Sequence, residues 1–322
     1  MATLANATAV PARRETDWSI AVAAVAMVAF LIAAPFVLYP VFVMKALCFA
    51  LFACAFNLLI GYVGLVSFGH ALYFGWASYF AAYSAKAWGL QPEFAVLVGT
   101  AVAAVLGLIA GRIAIRRQGI YFAMITLALA QMMYLVALRV KMTGGEDGIQ
   151  GVPRGRLFGV FDLNNEMTMY VFVLVVVLAA FFLIYRIINS PFGEVLKAIR
   201  ENEQRAISLG YKTDDYKLMA FVLSATLAGL AGSLKALVFQ LASLTDVHWT
   251  MSGEVVLMTL VGGLGTVFGP VVGAFLIVAM ENYLAPFGQW VLIIQGAVFV
   301  ICVLAFRRGI VGELAARLHV RL

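Results

Sequence analysis

Charge is what this chain has least of. Only 12% of its 322 residues are Asp, Glu, Lys or Arg, and 64% are hydrophobic. Soluble domains run at about 25% charged and about 45–50% apolar. The shortfall excludes a water-soluble protein, although the length alone would allow two such domains. The net charge of +6 is no nucleic-acid signal, because the basic residues sit between apolar runs rather than in a patch. Cysteine is scarce as well. Cys48, Cys54 and Cys302 lie inside apolar runs, match no zinc or redox spacing, and read as small packing residues. No G-x-x-x-x-G-K-S/T string is present, so the chain has no P-loop with which to hold ATP. The few Ser, His and Cys residues form no catalytic constellation and no metal site. No row of carboxylates or histidines runs through the apolar segments, which argues against a proton-coupled carrier. No ring of like charges suggests an ion filter.

What is present is a series of long apolar runs. A bilayer-crossing helix needs about 20 mostly apolar residues. Candidate spans fall at 19–38, 42–60, 66–85, 94–113, 120–138, 168–188 and 216–241, followed by a complex region over 253–306. The expected fold is an all-α polytopic membrane protein with about eight to ten membrane helices, including broken or re-entrant elements. The first run follows Arg13 and Arg14 and exceeds a signal-peptide core, so it reads as an uncleaved first helix. Connections alternate in basic content. Arg13, Arg14, Arg112, Arg116, Arg117, the 186–217 segment and the C-terminal arginines would share one side. Lys86, Arg139, Lys141, Arg154 and Arg156 would share the other. The bias is about threefold and puts both termini in the cytoplasm. Lys45 and Lys235 lie near span ends, placed to snorkel. The organisation expected is a tail over 1–17, a permeating domain over 18–306 and a tail over 307–322. Residues 253–285 and 289–306 alone would give two crossings, the wrong parity. A break in Val261–Pro270, where VGGLGTVFGP is half Gly and Pro, repairs it.

An earlier segment has the same character. Gly61–His70 and Gly263–Pro270 both run Gly-Leu, a hydroxyl residue, then Phe-Gly. Paired glycine-interrupted segments in two halves of a transporter point to its pathway. Small residues that let helices pack closely explain them equally well. Candidate pathway or hinge residues are Asn57, Gly64, Ser67, Gly69, His70, Gly262, Gly263, Gly265, Thr266 and Pro270. His70 also suits a plain interhelical hydrogen bond. Gln131, Glu254 and Gln295 are further polar residues in or beside apolar runs, with Glu254 expected at the outer interface.

The polar 186–217 segment interrupts all this. Ser190-Pro191 has the pattern of a helix start. The helix is expected to run to about Leu209, with Gly210 as its C-terminal cap. Phe192, Val195, Leu196 and Ile199 share one face, and Glu201 and Arg205 are spaced to pair at i, i+4. An amphipathic helix on the inner leaflet would favour Lys and Arg. Here Glu194, Glu201 and Glu203 balance Lys197, Arg200 and Arg205, which suits a protein groove better.

Six strings in order resemble one known family: NLLIGYVGLVSFGHALYFGWASY (57–79), RRQGIYFAMITLALAQ (116–131), TGGEDGIQGVP (143–153), FGEVLKAIRENEQRAISLGY (192–211), AFVLSATLAGLAGSL (220–234) and GGLGTVFGPVVGA (262–274). They are similar to the LivM-like membrane permeases of bacterial ABC importers for branched-chain amino acids. The resemblance implies that 192–211 is the region coupling the permease to its ATPase. Glu201, Asn202, Arg205, Ala206 and Gly210 match its core, with Glu194, Ala198 and Arg200 beside them. It implies a second, LivH-like permease, two cytoplasmic ATPases that hold the ATP and magnesium, and an external substrate-binding protein. No cofactor or metal is expected in this chain. Gly144, Gly145, Glu146 and Asp147 would face the binding protein, or else cap the span before them. The chain is thus expected in the bacterial inner membrane. Related permeases carry urea, amides or aromatic acids. A stand-alone channel or secondary carrier is the rival of another class.

Overall fold

Helix starts are set by proline and by capping side chains, and the apolar runs do the rest. Pro40, Pro92, Pro191 and Pro270 each occupy a first-turn position, where the missing N–H costs nothing. Asn165 and Ser190 cap α6 and α7 by accepting from the N–H groups of Met167 and Gly193. The computed structural model describes residues 17–317 apart from 289 and 307. Residues 1–16 of the tail expected over 1–17, and the last residues, 318–322, lie outside the described residues. Six helices precede the polar segment: α1 (Asp17–Val37), α2 (Pro40–Tyr62), α3 (His70–Ala87), α4 (Pro92–Ala114), α5 (Ile120–Arg139) and α6 (Glu166–Ile188). The polar segment holds α7 (Pro191–Glu201) and α8 (Glu203–Ser208). Then follow α9 (Thr213–Phe239), α10 (Trp249–Gly262), α11 (Gly269–Leu284), α12 (Trp290–Ala305) and α13 (Gly309–Arg317).

The chain is an all-α polytopic membrane protein. Among the described residues, six helices are long and apolar enough to cross a bilayer: α2, α4, α5, α6, α9 and the stretch beginning with α11. α2 is apolar all round and almost wholly enclosed, as a central helix must be. α9 lies beside it, with α3 and α4 against its far face. Small residues permit that approach. A Cβ at Gly232 would stand 1.9 Å from the Phe74 carbonyl oxygen, and one at Gly229 would stand 2.1 Å from the Ala103 Cβ. α5 and α6 keep most of their surface outward, for lipid or for other chains.

Three expectations need correction. The span expected over 66–85 starts at His70, because 63–69 is non-helical. The region 253–306 is interrupted within the expected stretch, Val261–Pro270, and is split into three short helices, where one broken element and one span were expected. α10 and α11 form an antiparallel hairpin: a Cβ at Gly262 would overlap Gly269, and one at Gly273 would overlap Met258. At 14 residues, α10 is about 21 Å long, short of the ~30 Å hydrocarbon core. The parity problem disappears, since three passes return the chain to the end where α6 finished. Finally, Lys45 and Lys235 do not snorkel. Lys45 pairs with Glu281 at 3.1 Å. Lys235 is 8% exposed and pairs with the equally buried Asp246 at 2.6 Å. Asp246 lies on a short turn that folds back over the end of α9, and it also accepts from the Ser243 N–H. With both charges buried, each compensates the other, and removing either would leave an unpaired buried charge.

The bundle therefore has two different ends. One carries α7, α8, the start of α1, both glycine breaks and α13. The other carries the turns over 141–165 and 240–248, joined by a two-residue strand pair, Ile149–Gln150 with Leu241–Ala242.

Candidate coupling and pathway site

At the first end, the break after α2 is tied down locally. The N–H groups of Val63, Gly64 and Leu65 all donate to the Leu59 carbonyl. Ser67 Oγ accepts from Gly69 N–H, and Thr126 Oγ on α5 accepts from Phe68 N–H at 3.2 Å. Gly69 lies flat on α5, since a Cβ there would stand 2.7 Å from the Thr126 carbonyl. His70 opens α3 fully buried among Phe56, Tyr73 and Phe221. Its Nε2 meets Ser224 Oγ at 2.8 Å. The serine donates to the Ala55 carbonyl, so Nε2 is the nitrogen that carries hydrogen. His70 is thus a packed, hydrogen-bonded histidine, and its Nδ1 has no partner. Only the tip reaches the surface, where Gly64, Leu65 and Val66 line a cleft of about 510 Å³ with Ile120 and Met124.

The second break, 263–268, is fastened from a distance. Asn57, 3% exposed, donates from Nδ2 to the Thr266 carbonyl at 2.9 Å and accepts Gly265 N–H at 3.0 Å. Thr266 Oγ donates to the Gly263 carbonyl and accepts from Gly269 N–H. Gly263 and Gly265 sit at φ +127° and +73°, which side chains rarely adopt. α13 closes the other side, with Gly309 nearly touching the Gly263 backbone. Gly262 and Pro270 form the closely packed base of the hairpin. The sequence-paired breaks are therefore close neighbours, joined through the last turn of α2.

The polar segment lies over this junction. It is not one helix to Leu209. Asn202 takes an extended conformation and caps α8 by accepting from the Arg205 N–H, so α7 stops at Glu201. The break removes the i, i+4 register, and among the described residues no Glu201–Arg205 pair forms. Glu203 instead accepts from Lys217 at 2.6 Å, Thr213 and Gln118, anchoring α8 to α9 and to the turn before α5. Gly210 does end the segment, at φ +90°. Leu196 and Ile199 are buried in this chain, and Phe192 stacks on Tyr216, so the apolar face is already in use. Ala206 is buried, and Arg200, an exposed residue, turns the end of its guanidinium onto the Gly61 carbonyl. Glu194, Ala198, Glu201, Asn202, Arg205 and Gly210 stay exposed, next to exposed Ile207 and Leu209. A cleft of about 420 Å³ between Val195, Tyr211 and Met219 adjoins them.

Gly144, Gly145, Glu146 and Asp147 sit at the opposite end. Thr143 is buried and donates to the Val140 carbonyl, ending α5, and Gly144 turns the chain at φ +76°. Glu146 and Asp147 are exposed. Gln131 is exposed along α5, Glu254 is half-buried, and Gln295 is buried. The Arg200 contact and the Glu203 anchor had no signal in the sequence, because nothing in spacing tells which face of a mixed-charge helix meets its own protein.

A polytopic helical bundle with a polar hook over two glycine-rich breaks has the build of a membrane permease subunit. The chain belongs to the family described as branched-chain amino acid transport system / permease component, whose model matches residues 41–303. It is 26% identical over 277 residues to the high-affinity branched-chain amino acid transport system permease protein LivM of Escherichia coli, covering 79% of this chain and 65% of that one. It thus spans about two thirds, slightly less, of that relative's length. It is 28% identical over 198 residues to a probable LivM permease of Methanocaldococcus jannaschii, covering 58% of this chain and 55% of that one. It is 30% identical over 101 residues to the autoinducer 2 import permease LsrC of Yersinia pseudotuberculosis, covering 30% and 29%. No solved structure matches.

Proposed function

We propose that this chain is the LivM-like permease subunit of an ATP-driven importer in a bacterial inner membrane. Its cargo is a branched-chain amino acid or a related small carboxylate. A LivH-like permease completes the pathway, two cytoplasmic ATPases bind ATP and magnesium, and an external binding protein delivers substrate. The observation that carries this reading is the hook. Its apolar face is spent within the chain, while Glu194, Ala198, Glu201, Asn202 and Arg205 remain open at the end where both breaks meet. With no P-loop of its own, such a chain needs an ATPase from outside. ATP binding would draw the two hooks together and switch the pathway from outward to inward, with the breaks as lining or hinge. The hook end, both termini included, then faces the cytoplasm. Glu146 and Asp147, exposed at the other end, face the binding protein.

Replacing Glu201, Asn202 and Arg205 together by Ala tests it in proteoliposomes holding the assembled importer. Membrane insertion stays normal and ATP-driven leucine uptake is lost. Full uptake by the triple variant, with the ATPases still bound, would overturn the hook's role. Uptake by the purified chain alone would make it a carrier.

A further inference from the structure

We propose that Arg200 is a positioning residue that ties the hook to both glycine breaks at once. The inference rests on the reading of the hook as the ATPase-driven element. Arg200 stands in the last turn of α7, one residue before the helix stops. Its Nη1 donates to the carbonyl of Gly61, in the last turn of α2. That carbonyl is an orphan of the helix end: the three following N–H groups, of Val63, Gly64 and Leu65, go to Leu59 instead. A helix C-terminus carries partial negative charge, so a guanidinium is the fitting partner.

The route of the side chain is cut by the two breaks. Its Cγ passes 3.1 Å from where a Cβ would stand at Gly64. Its Nη1 lies 3.3 Å from where one would stand at Gly265, and that point is also 3.3 Å from the Gly61 oxygen. Both glycines hold left-handed backbone, φ +83° and +73°. Asn57, one helical turn before Gly61, grips Gly265 and Thr266 from the other side. One cation therefore touches α7, the end of α2 and both breaks. The remaining hook anchors, Leu196, Ile199 and Glu203, reach neither break through a polar contact. A tilt of α7 reaches the breaks most directly through Arg200.

The experiment uses the assembled importer in proteoliposomes, with Val66→Cys at the tip of the first break and Cys302→Ser. Two quantities are read: leucine transported per ATP hydrolysed, and the ATP-dependent change in labelling of the cysteine by a membrane-impermeant thiol reagent. With Arg200→Ala the transport ratio falls by about tenfold, an ordinary coupling free energy, and the labelling no longer responds to ATP. Arg200→Lys keeps one donor and recovers part of both. Gly265→Ala crowds the guanidinium from the second break while leaving the hook's own residues unchanged, and repeats the Arg200→Ala result. Wild-type labelling and ratio in Arg200→Ala overturn the proposal. Loss of the ATPases from the purified Arg200→Ala complex also overturns it, since Arg200 would then serve docking. If the wild-type complex binds no ATPase and its labelling ignores ATP, the proposed function itself fails, and the role of Arg200 with it.

Discussion

The two glycine breaks share a composition and one end of the bundle, yet they are held in different ways. The 63–69 break is secured from its own half of the chain, through Leu59, Ser67 and the Thr126 hydroxyl of α5. The 263–268 break depends on Asn57, from the opposite half of the chain, and on the approach of α13. Glycine density therefore marks where a helix stops without telling what holds the loose ends. The first break has one exposed tip over a cleft. The second is a staple between helices, and a disturbance there reaches α2, α11 and α13 together.

The largest effect that separates them is expected at Asn57. Asn57→Leu removes both bonds to the second break and leaves a half-buried N–H and C=O without the side chain that paired them. The cost is about 2 kcal/mol, seen as a lowered unfolding midpoint of the detergent-solubilised protein. An unchanged midpoint would mean that α13 and hairpin packing hold the second break alone. A smaller effect is expected from Thr126→Val, which cuts the strap on the first break. One net hydrogen bond is worth about 1 kcal/mol, so the fold survives while labelling of a cysteine at position 66 speeds up. Equal losses of stability in the two variants would erase the contrast between the breaks.

The spans, both breaks and the Ser190-Pro191 helix start were legible because each has a local cause: an apolar run, a cluster of Gly and Pro, a capping pair. Asn202 was not legible as a break. In a run of charged residues it reads as one more polar helical position, and only its capping of α8 shows otherwise. The Lys235–Asp246 pair was hidden for a related reason. Its geometry depends on the turn at Gln240, whose left-handed backbone reverses the chain over α9. The directions of the candidate site residues were not legible either. Arg200 is an exposed residue of the hook, yet its side chain runs along a passage left open by the missing side chains of Gly64 and Gly265. Such a passage is made by residues far apart in the chain, so no local pattern announces it.

The central claim is that the hook moves the breaks when ATP binds. Spin labels at Val66 and Leu264, both exposed at the break tips, report it by their separation in the assembled importer. Adding ATP with vanadate shifts the distance distribution in the wild type, and the shift vanishes in the Glu201, Asn202, Arg205 triple variant. A wild-type distribution that stays the same with and without nucleotide, in a complex that hydrolyses ATP, would contradict it.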